Sequence, residues 1–258
     1  MGKDLTPVLV AGVPPDIFSN DGQLWGNPIY DWEFQKRNGF LWWKERLMHY
    51  ADMYDVIRID HFRAFADYYT IPYGSENAKT GTWEKGVGLA FWDCMKPYLK
   101  NAQIIAEDLG GDTREVQNLV KKSGFPNMKI LQFAFSSDLK NSFLPKNFNK
   151  LCVCYTGTHD NDTTLGWYAT ATEKEKNLFR KLVRTDKSGS VVFSLIAYGM
   201  NSKADTVIIP LQDYLRLSSK DRMNTPGIDT GNWEWRYEKS SLTESLATEI
   251  LRLSGNRN

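Results

Sequence analysis

Three short segments place carboxylates directly after runs of apolar, β-branched residues. The first is VIRIDHFRAF, with Arg58, Asp60, His61 and Arg63. The second is IIAEDLG, with Glu107 and Asp108. The third is YTGTHDNDT, with His159, Asp160 and Asn161. Two carboxyl groups across a glycosidic bond suffice for a retaining exchange: one attacks as nucleophile, and the other protonates the leaving oxygen and later activates the acceptor. A third carboxylate can hold sugar hydroxyls and distort the ring. Arg58 stands two residues before Asp60, and strand side chains alternate, so both point the same way and Arg58 is placed to hold Asp60 ionised and oriented. The plainer reading of any single strand-end acid is a helix cap or an arginine partner, and taken one at a time that reading is the better one. Three of them in register favour chemistry. His159 alone, His49 on a helical pattern and His61, which alternation turns away from Asp60, read as structural.

The elements that must position these groups follow from periodicity. Strand candidates are PVLVAG at 7–12, YDVIRID at 54–60, AQIIAE at 102–107, MKILQFAF at 128–135, LCVCYT at 151–156 and DTVIIPL at 205–211. They lack polar alternation, as strands covered on both faces do. Helical patterns lie between them. Asp112 with Glu115 predicts a capping box before Val116, Leu119 and Val120, and Gly124 marks that helix's end. Thr172 with Glu175 opens a second helix, and Ser241 with Glu244 a last one carrying Leu246, Ile250, Leu251 and Leu253. The alternation implies parallel βα units, an α/β fold with Asp60, Glu107, His159, Asp160, Gln212 and Asp213 at the strand ends where barrel enzymes keep their catalytic groups. About five units are countable, and a closed (β/α)8 barrel takes eight.

Composition excludes other classes. The net charge of +1 gives no electrostatic case for nucleic acid or an anionic membrane as partner. Nine Trp and twelve Tyr suit sugar faces, although most such residues are core in any globular protein. Cys94, Cys152 and Cys154 form no disulfide framework, and with only His49, His61 and His159 beside them they give no metal set. No signal peptide and no long apolar run are present, so the cytoplasm is the expected compartment.

The three acidic segments resemble the signature regions of the α-amylase superfamily: the R-x-D strand, the Glu strand and the H-D strand. The segment VAGVPPDIFSNDGQLWGNPIYDW at 10–32 is similar to the signature loop of the amylomaltase (4-α-glucanotransferase) family, and RIDHFR, AEDLG, TGTHDNDT and RMNTPGIDTGNWEWR at 222–236 fit the same family in the same order. The matches run from about residue 8 to about residue 254. The resemblance implies a retaining enzyme that transfers α-1,4-glucan segments (maltooligosaccharides, starch, glycogen) to a sugar 4-hydroxyl without a cofactor or metal, and it leaves the oligomeric state open. It makes Asp60 the nucleophile, Glu107 the general acid/base and Asp160 the transition-state stabiliser, with Arg58 and His159 beside them. Asp16, Phe18, Gln23, Trp25, Gly26 and Asn27 would overhang the cleft. Ile17 stands where many relatives carry an aromatic residue. Asn224, Pro226, Gly227, Asn232 and Trp233 divide evenly between a binding segment and a structural turn. Because the family's barrel begins well before this pattern does, residues 1–258 are expected to form the C-terminal part of a catalytic (β/α)8 barrel lacking its N-terminal strands, with 10–32 as an active-site loop. Two alternatives are an inactive glucan-binding fragment and an α-glucan hydrolase of the same superfamily.

Overall fold

The structure, a computed structural model, describes residues 5–15, 19–109, 113–136, 138–185, 189–228 and 230–255. The chain forms two compact units, 1–127 and 128–258.

The first unit contains an antiparallel sheet that the apolar runs did not suggest. Its order is β2 (Gln23–Pro28), β1 (Leu9–Val13), β4 (Asp67–Pro72), β5 (Thr82–Lys85). The run at 7–12 was expected as a two-face-buried parallel strand. In β1 only alternate residues, Val10 and Gly12, are buried, as in a strand with one covered face. Gly12 is required there, since a Cβ would run into the Gln23 carbonyl and the Ile71 side chain. Beside this sheet in the same unit, β3 (Val56–Ile59) and β6 (Gln103–Ala106) pair in parallel, and Ala106 pairs onward with Asn127. Helices α1 (Trp32–Arg37), α2 (Leu41–Met53), α3 (Leu89–Met95) and α4 (Arg114–Ser123) complete the unit. Their core is aromatic: Trp43, Phe62, Phe65, Phe91 and Trp92 pack together. Trp32 stacks on Trp43 at 6.1 Å and so pins the end of the 10–32 segment to that core.

Residues Val116, Leu119 and Val120 are the buried face of α4, and Gly124 ends it at φ 74, as periodicity predicts. The cap itself differs. Asp112 lies outside the described residues, and Thr113 accepts the hydrogen bond from the Val116 N–H.

In the second unit β7 (Asn127–Ile130) stops three residues into the run at 128–135, which continues as a 3₁₀ turn over Leu131–Phe135. Strands β8 (Cys152–Tyr155) and β9 (Thr206–Ile208) pair in parallel. Between them lie α5 (Thr164–Thr170), α6 (Glu173–Leu182) and α7 (Val191–Met200). Helices α8 (Leu211–Tyr214) and α9 (Glu244–Ser254) follow. Thr172 and Glu175 form the expected reciprocal capping box of α6. Helix α9 starts two residues later than Ser241 predicts, because Thr243 caps it, and Leu251 is exposed while Leu253 is buried. Among the described residues no helix is long and apolar enough to cross a membrane.

Candidate active site

Strand register does the first positioning. Parallel pairing sets Arg58 beside Ile105 and Ile59 beside Ala106. One further step along both strands sets Asp60 beside Glu107, and neighbouring strands lie about 4.8 Å apart. Backbone bonds hold that step: the Glu107 N–H donates to the Ile59 carbonyl at 3.0 Å, and the Phe62 N–H donates to the Glu107 carbonyl at 2.8 Å.

The two carboxyls sit in opposite environments. Asp60 has an open side chain, 78% exposed, and pairs with the Arg58 guanidinium. Glu107 is buried, and its oxygens accept from the His61 N–H and the Leu109 N–H, each at 2.7 Å. Burial raises the Glu107 pKa above the ordinary carboxylate value. The Leu109 and His61 N–H groups and the Arg58 charge pull it back down, and the Asp60 charge adds to the rise. Glu107 thus keeps its proton to higher pH than an ordinary carboxyl, the direction a general acid needs.

The turn after Asp60 is built to present that His61 N–H. His61 adopts a left-handed φ of 46°, and Phe62, fully buried, stacks on Trp92 at 5.3 Å. His61 itself is a packed residue: burial lowers its pKa, opposed by Asp60, and its Nε2 has no hydrogen-bond partner among the described residues. The Trp25 indole meets the His61 ring edge-on at 4.9 Å. Strand β2 therefore brings part of the 10–32 segment against the residue next to Asp60. The Trp25 N–H donates to Gln23 Oε1 at 3.1 Å, and Asn27 is exposed on the same strand. Asp16 and Phe18 lie outside the described residues.

In the second unit the turn after β8 carries His159 and Asp160. Asn161 braces it by accepting from the Thr158 N–H at 2.8 Å. His159 Nε2 lies 3.2 Å from Asp160 Oδ2, and the Asn224 side-chain amide donates to Asp160 Oδ1 at 2.6 Å. Arg222 donates to the Asp160 carbonyl at 2.5 Å and to the Asn224 carbonyl at 2.7 Å. Sequence reasoning marked Asn224 but not Arg222, whose carbonyl partner lies 62 positions away; nothing in its own neighbourhood signals that contact. Asp213, expected among the strand-end acids, is instead buried and taken up by Thr156 and Thr164. Gln212 is buried beside it. Among the described residues no three His, Cys, Asp or Glu side chains gather as a metal site.

A family model described as 4-alpha-glucanotransferase matches residues 3–243. The chain is 42% identical to a 4-alpha-glucanotransferase of Clostridium butyricum over 98% of its own length and 52% of the relative's. It is 44% identical to one of Thermus thermophilus, over 92% of its own length and 49% of that protein's. Its structure matches that of amylomaltase from Streptococcus agalactiae in complex with acarbose, with TM-score 0.95 and 35% identity, over the whole chain and 53% of the other. The chain thus spans about half the length of the curated relatives it matches. The parallel βα units are those of an incomplete (β/α) barrel, as the sequence led one to expect.

Proposed function

The chain belongs to the 4-alpha-glucanotransferase family, glycoside hydrolase family 77, and on that footing we propose that it carries the nucleophile and the acid/base of an enzyme that moves α-1,4-glucan segments to a sugar 4-hydroxyl with retention. The observation that carries this reading is the register of β3 and β6, which pairs Ile59 with Ala106 one residue before Asp60 and Glu107, with Asp60 open on Arg58 and Glu107 buried with its pKa raised. Asp60 attacks the anomeric carbon while Glu107 gives its proton to the departing 4-oxygen. The resulting glucosyl ester meets an acceptor 4-hydroxyl, whose proton returns to Glu107 as the new bond forms and Asp60 leaves. Retention requires carboxyl oxygens roughly 5–5.5 Å apart. Asp160 stabilises the positive charge that develops on the ring, and His159 bonds sugar hydroxyls. Water and sugar acceptors use the same base, so the choice between transfer and hydrolysis rests on positioning and water exclusion. That task falls to Asp16, Phe18, Gln23, Trp25 and Asn27 of the 10–32 segment. Trp25, packed against His61, supports it.

Maltooligosaccharides, starch and glycogen are the substrates this reading assigns, and residues 1–258 are the C-terminal part of the catalytic barrel. The cytoplasm is the compartment proposed, on the odd cysteine count of Cys94, Cys152 and Cys154 in the sequence. The test is incubation with maltotriose and chromatography of the products. A ladder of longer and shorter glucans establishes transfer, glucose and maltose alone establish hydrolysis, and an unchanged substrate identifies an inactive fragment. Five parallel strands are described and a closed barrel takes eight. The chain alone is therefore expected to turn over little, and the chain joined to the N-terminal half of the Clostridium butyricum relative is expected to give the ladder.

A further inference from the structure

The described residues between Arg222 and Trp233 are fastened beside Asp160 more firmly than a surface turn requires. Arg222 binds the carbonyls of Asp160 and Asn224, and the Asn224 amide binds the Asp160 carboxylate. Asn232 closes the loop on itself: its Oδ1 accepts from the Thr225 N–H at 2.8 Å, and its amide donates to the Ile228 carbonyl at 2.7 Å. The Trp233 N–H then donates to the Met223 carbonyl at 2.8 Å. What this brace delivers is the Trp233 side chain.

Two features of Trp233 are unexpected for a packing residue. Its φ is 64°, in the left-handed region that glycine occupies freely and a bulky side chain does not. Its side chain also recovers little by burial, since the residue is 56% exposed. The indole ring stands 5.2 Å from the His159 imidazole at a tilt of 42°, and His159 pairs with Asp160. A large open aromatic face, held in a strained conformation next to a histidine–carboxylate pair, matches the needs of a pyranose ring. Such a ring presents an apolar C–H face for stacking and an equatorial rim of hydroxyls for polar groups.

With the glucan reading of the site as footing, we propose that Trp233 is a stacking platform for a glucosyl unit whose hydroxyls reach His159 and Asp160. Neither the His159 ring nor the loop backbone needs a tryptophan for its own geometry, because the Asn232 and Arg222 bonds already set the loop. Backbone strain at the position then serves ligand contact rather than folding.

The experiment is calorimetric titration of the 258-residue chain with maltoheptaose, alongside thermal unfolding, for the wild type and for Trp233→Phe, Trp233→Ala and Trp233→Gly. The wild type is expected to bind. Trp233→Ala and Trp233→Gly are expected to weaken the Kd by about tenfold or more, and Trp233→Phe by less. Trp233→Gly, which relieves the left-handed backbone, is expected to keep or raise the Tm while losing affinity. Affinity like the wild type's in the alanine and glycine variants would remove the platform and leave the glucan reading standing. A Tm that falls in step with affinity in both would make Trp233 a structural post and overturn the inference. A wild-type chain that does not bind maltoheptaose would overturn the platform, while the glucan reading stands or falls on the maltotriose assay of the chain joined to the N-terminal half.

Discussion

The carboxylate of Glu107 accepts a hydrogen bond from the backbone N–H of His61, the residue that follows Asp60, at 2.7 Å. One peptide group thereby ties the buried carboxyl of one strand to the chain that carries the open carboxylate of its neighbour. The second Glu107 oxygen is held by the Leu109 N–H at 2.7 Å, so the carboxyl is fixed at both ends. The two strand ends rest on the aromatic core, β3 through Phe62, which stacks on Trp92, and β6 through Ala106. This rigidity matters for the proposed chemistry, in which a misplacement of about 1 Å costs about 100-fold in rate.

The buried position of Glu107 sets a pH dependence. Its pKa is raised, chiefly by burial, and its proton is needed in the first chemical step. Activity should therefore persist above the ordinary carboxylate range and fall as pH rises through the raised Glu107 pKa. In the preparation that disproportionates maltotriose, Glu107→Gln should lower kcat/KM by about 100- to 10,000-fold and abolish that alkaline limb. The pH–rate profile of both proteins is the check. A limb retained at the same pH in Glu107→Gln would assign it to another group.

The Arg58–Asp60 pair separates function from stability. Asp60→Asn should abolish turnover with an unchanged circular dichroism spectrum, since an amide does not attack the anomeric carbon. Arg58→Ala removes the group that aims Asp60 and should cost about 100-fold in kcat/KM. Because Asp60 is largely open, the pair itself contributes only about 0–1 kcal/mol to folding. Kinetics set beside urea denaturation would decide. A rate loss matched by a stability loss several times larger would mean that Arg58 supports the strand rather than the nucleophile.

Asn224 donates to Asp160 Oδ1, which makes the amide sensitive to a charge change at the same shape. Asn224→Asp would set two carboxylates against each other at neutral pH, where like charges raise one of the two pKa values. A loss of about tenfold or more at pH 7 is expected, with partial recovery toward pH 5 as the pair shares a proton. Asn224→Ala should lose activity without that recovery. Identical pH profiles for the two variants would exclude the electrostatic account.

Much of this was legible in the sequence, and the reasons are physical. Asp60 and Glu107 follow the apolar runs of β3 and β6, a local signal; Ile104, Ile105 and Ala106 of β6 are buried as that signal implies, whereas Val56 of β3 is exposed. The alternation argument also placed Arg58 on Asp60, where the structure has it. The antiparallel β1–β2–β4–β5 sheet was not legible, because β1 reads LVAGV and its glycine hides the polar alternation of a one-faced strand. Strands β4, DYYTIP, and β5, TWEK, contain no apolar run, and β5 is exposed throughout. The strand expected at 128–135 ends at Ile130 because the chain turns into a 3₁₀ segment whose Leu131, Ala134 and Phe135 are just as apolar, so hydrophobicity alone cannot mark the change. Arg222 was invisible because its partner is remote in sequence. Asp213 looked like another strand-end acid, and only the fold shows that two threonines consume it.

That consumption makes Asp213 a test of stability rather than of catalysis. Its carboxylate accepts from the Thr156 hydroxyl at 2.5 Å, the Thr164 N–H at 2.8 Å and the Thr164 hydroxyl at 2.7 Å, joining the end of β8 to the first residue of α5. Thr156 and Thr164 are fully buried, so Asp213→Leu would leave their polar groups without partners and should cost about 2–5 kcal/mol in urea denaturation. Asp213→Asn keeps an acceptor for the Thr164 N–H and should cost far less. Burial raises the Asp213 pKa, with Asp162 adding to the rise and the three hydrogen bonds opposing it. A folded pKa above the unfolded one contributes stability that is fully present below the unfolded value and is lost as pH rises through the folded value. The wild type should therefore lose stability relative to Asp213→Asn from about pH 4 upward, and the difference should level off once Asp213 is ionised in the folded chain. Denaturation midpoints for the two proteins between pH 4 and pH 8 measure that difference directly. A constant difference across the range would show that Asp213 binds its proton no more tightly folded than unfolded, and would leave the hydrogen bonds to the threonines as its whole contribution.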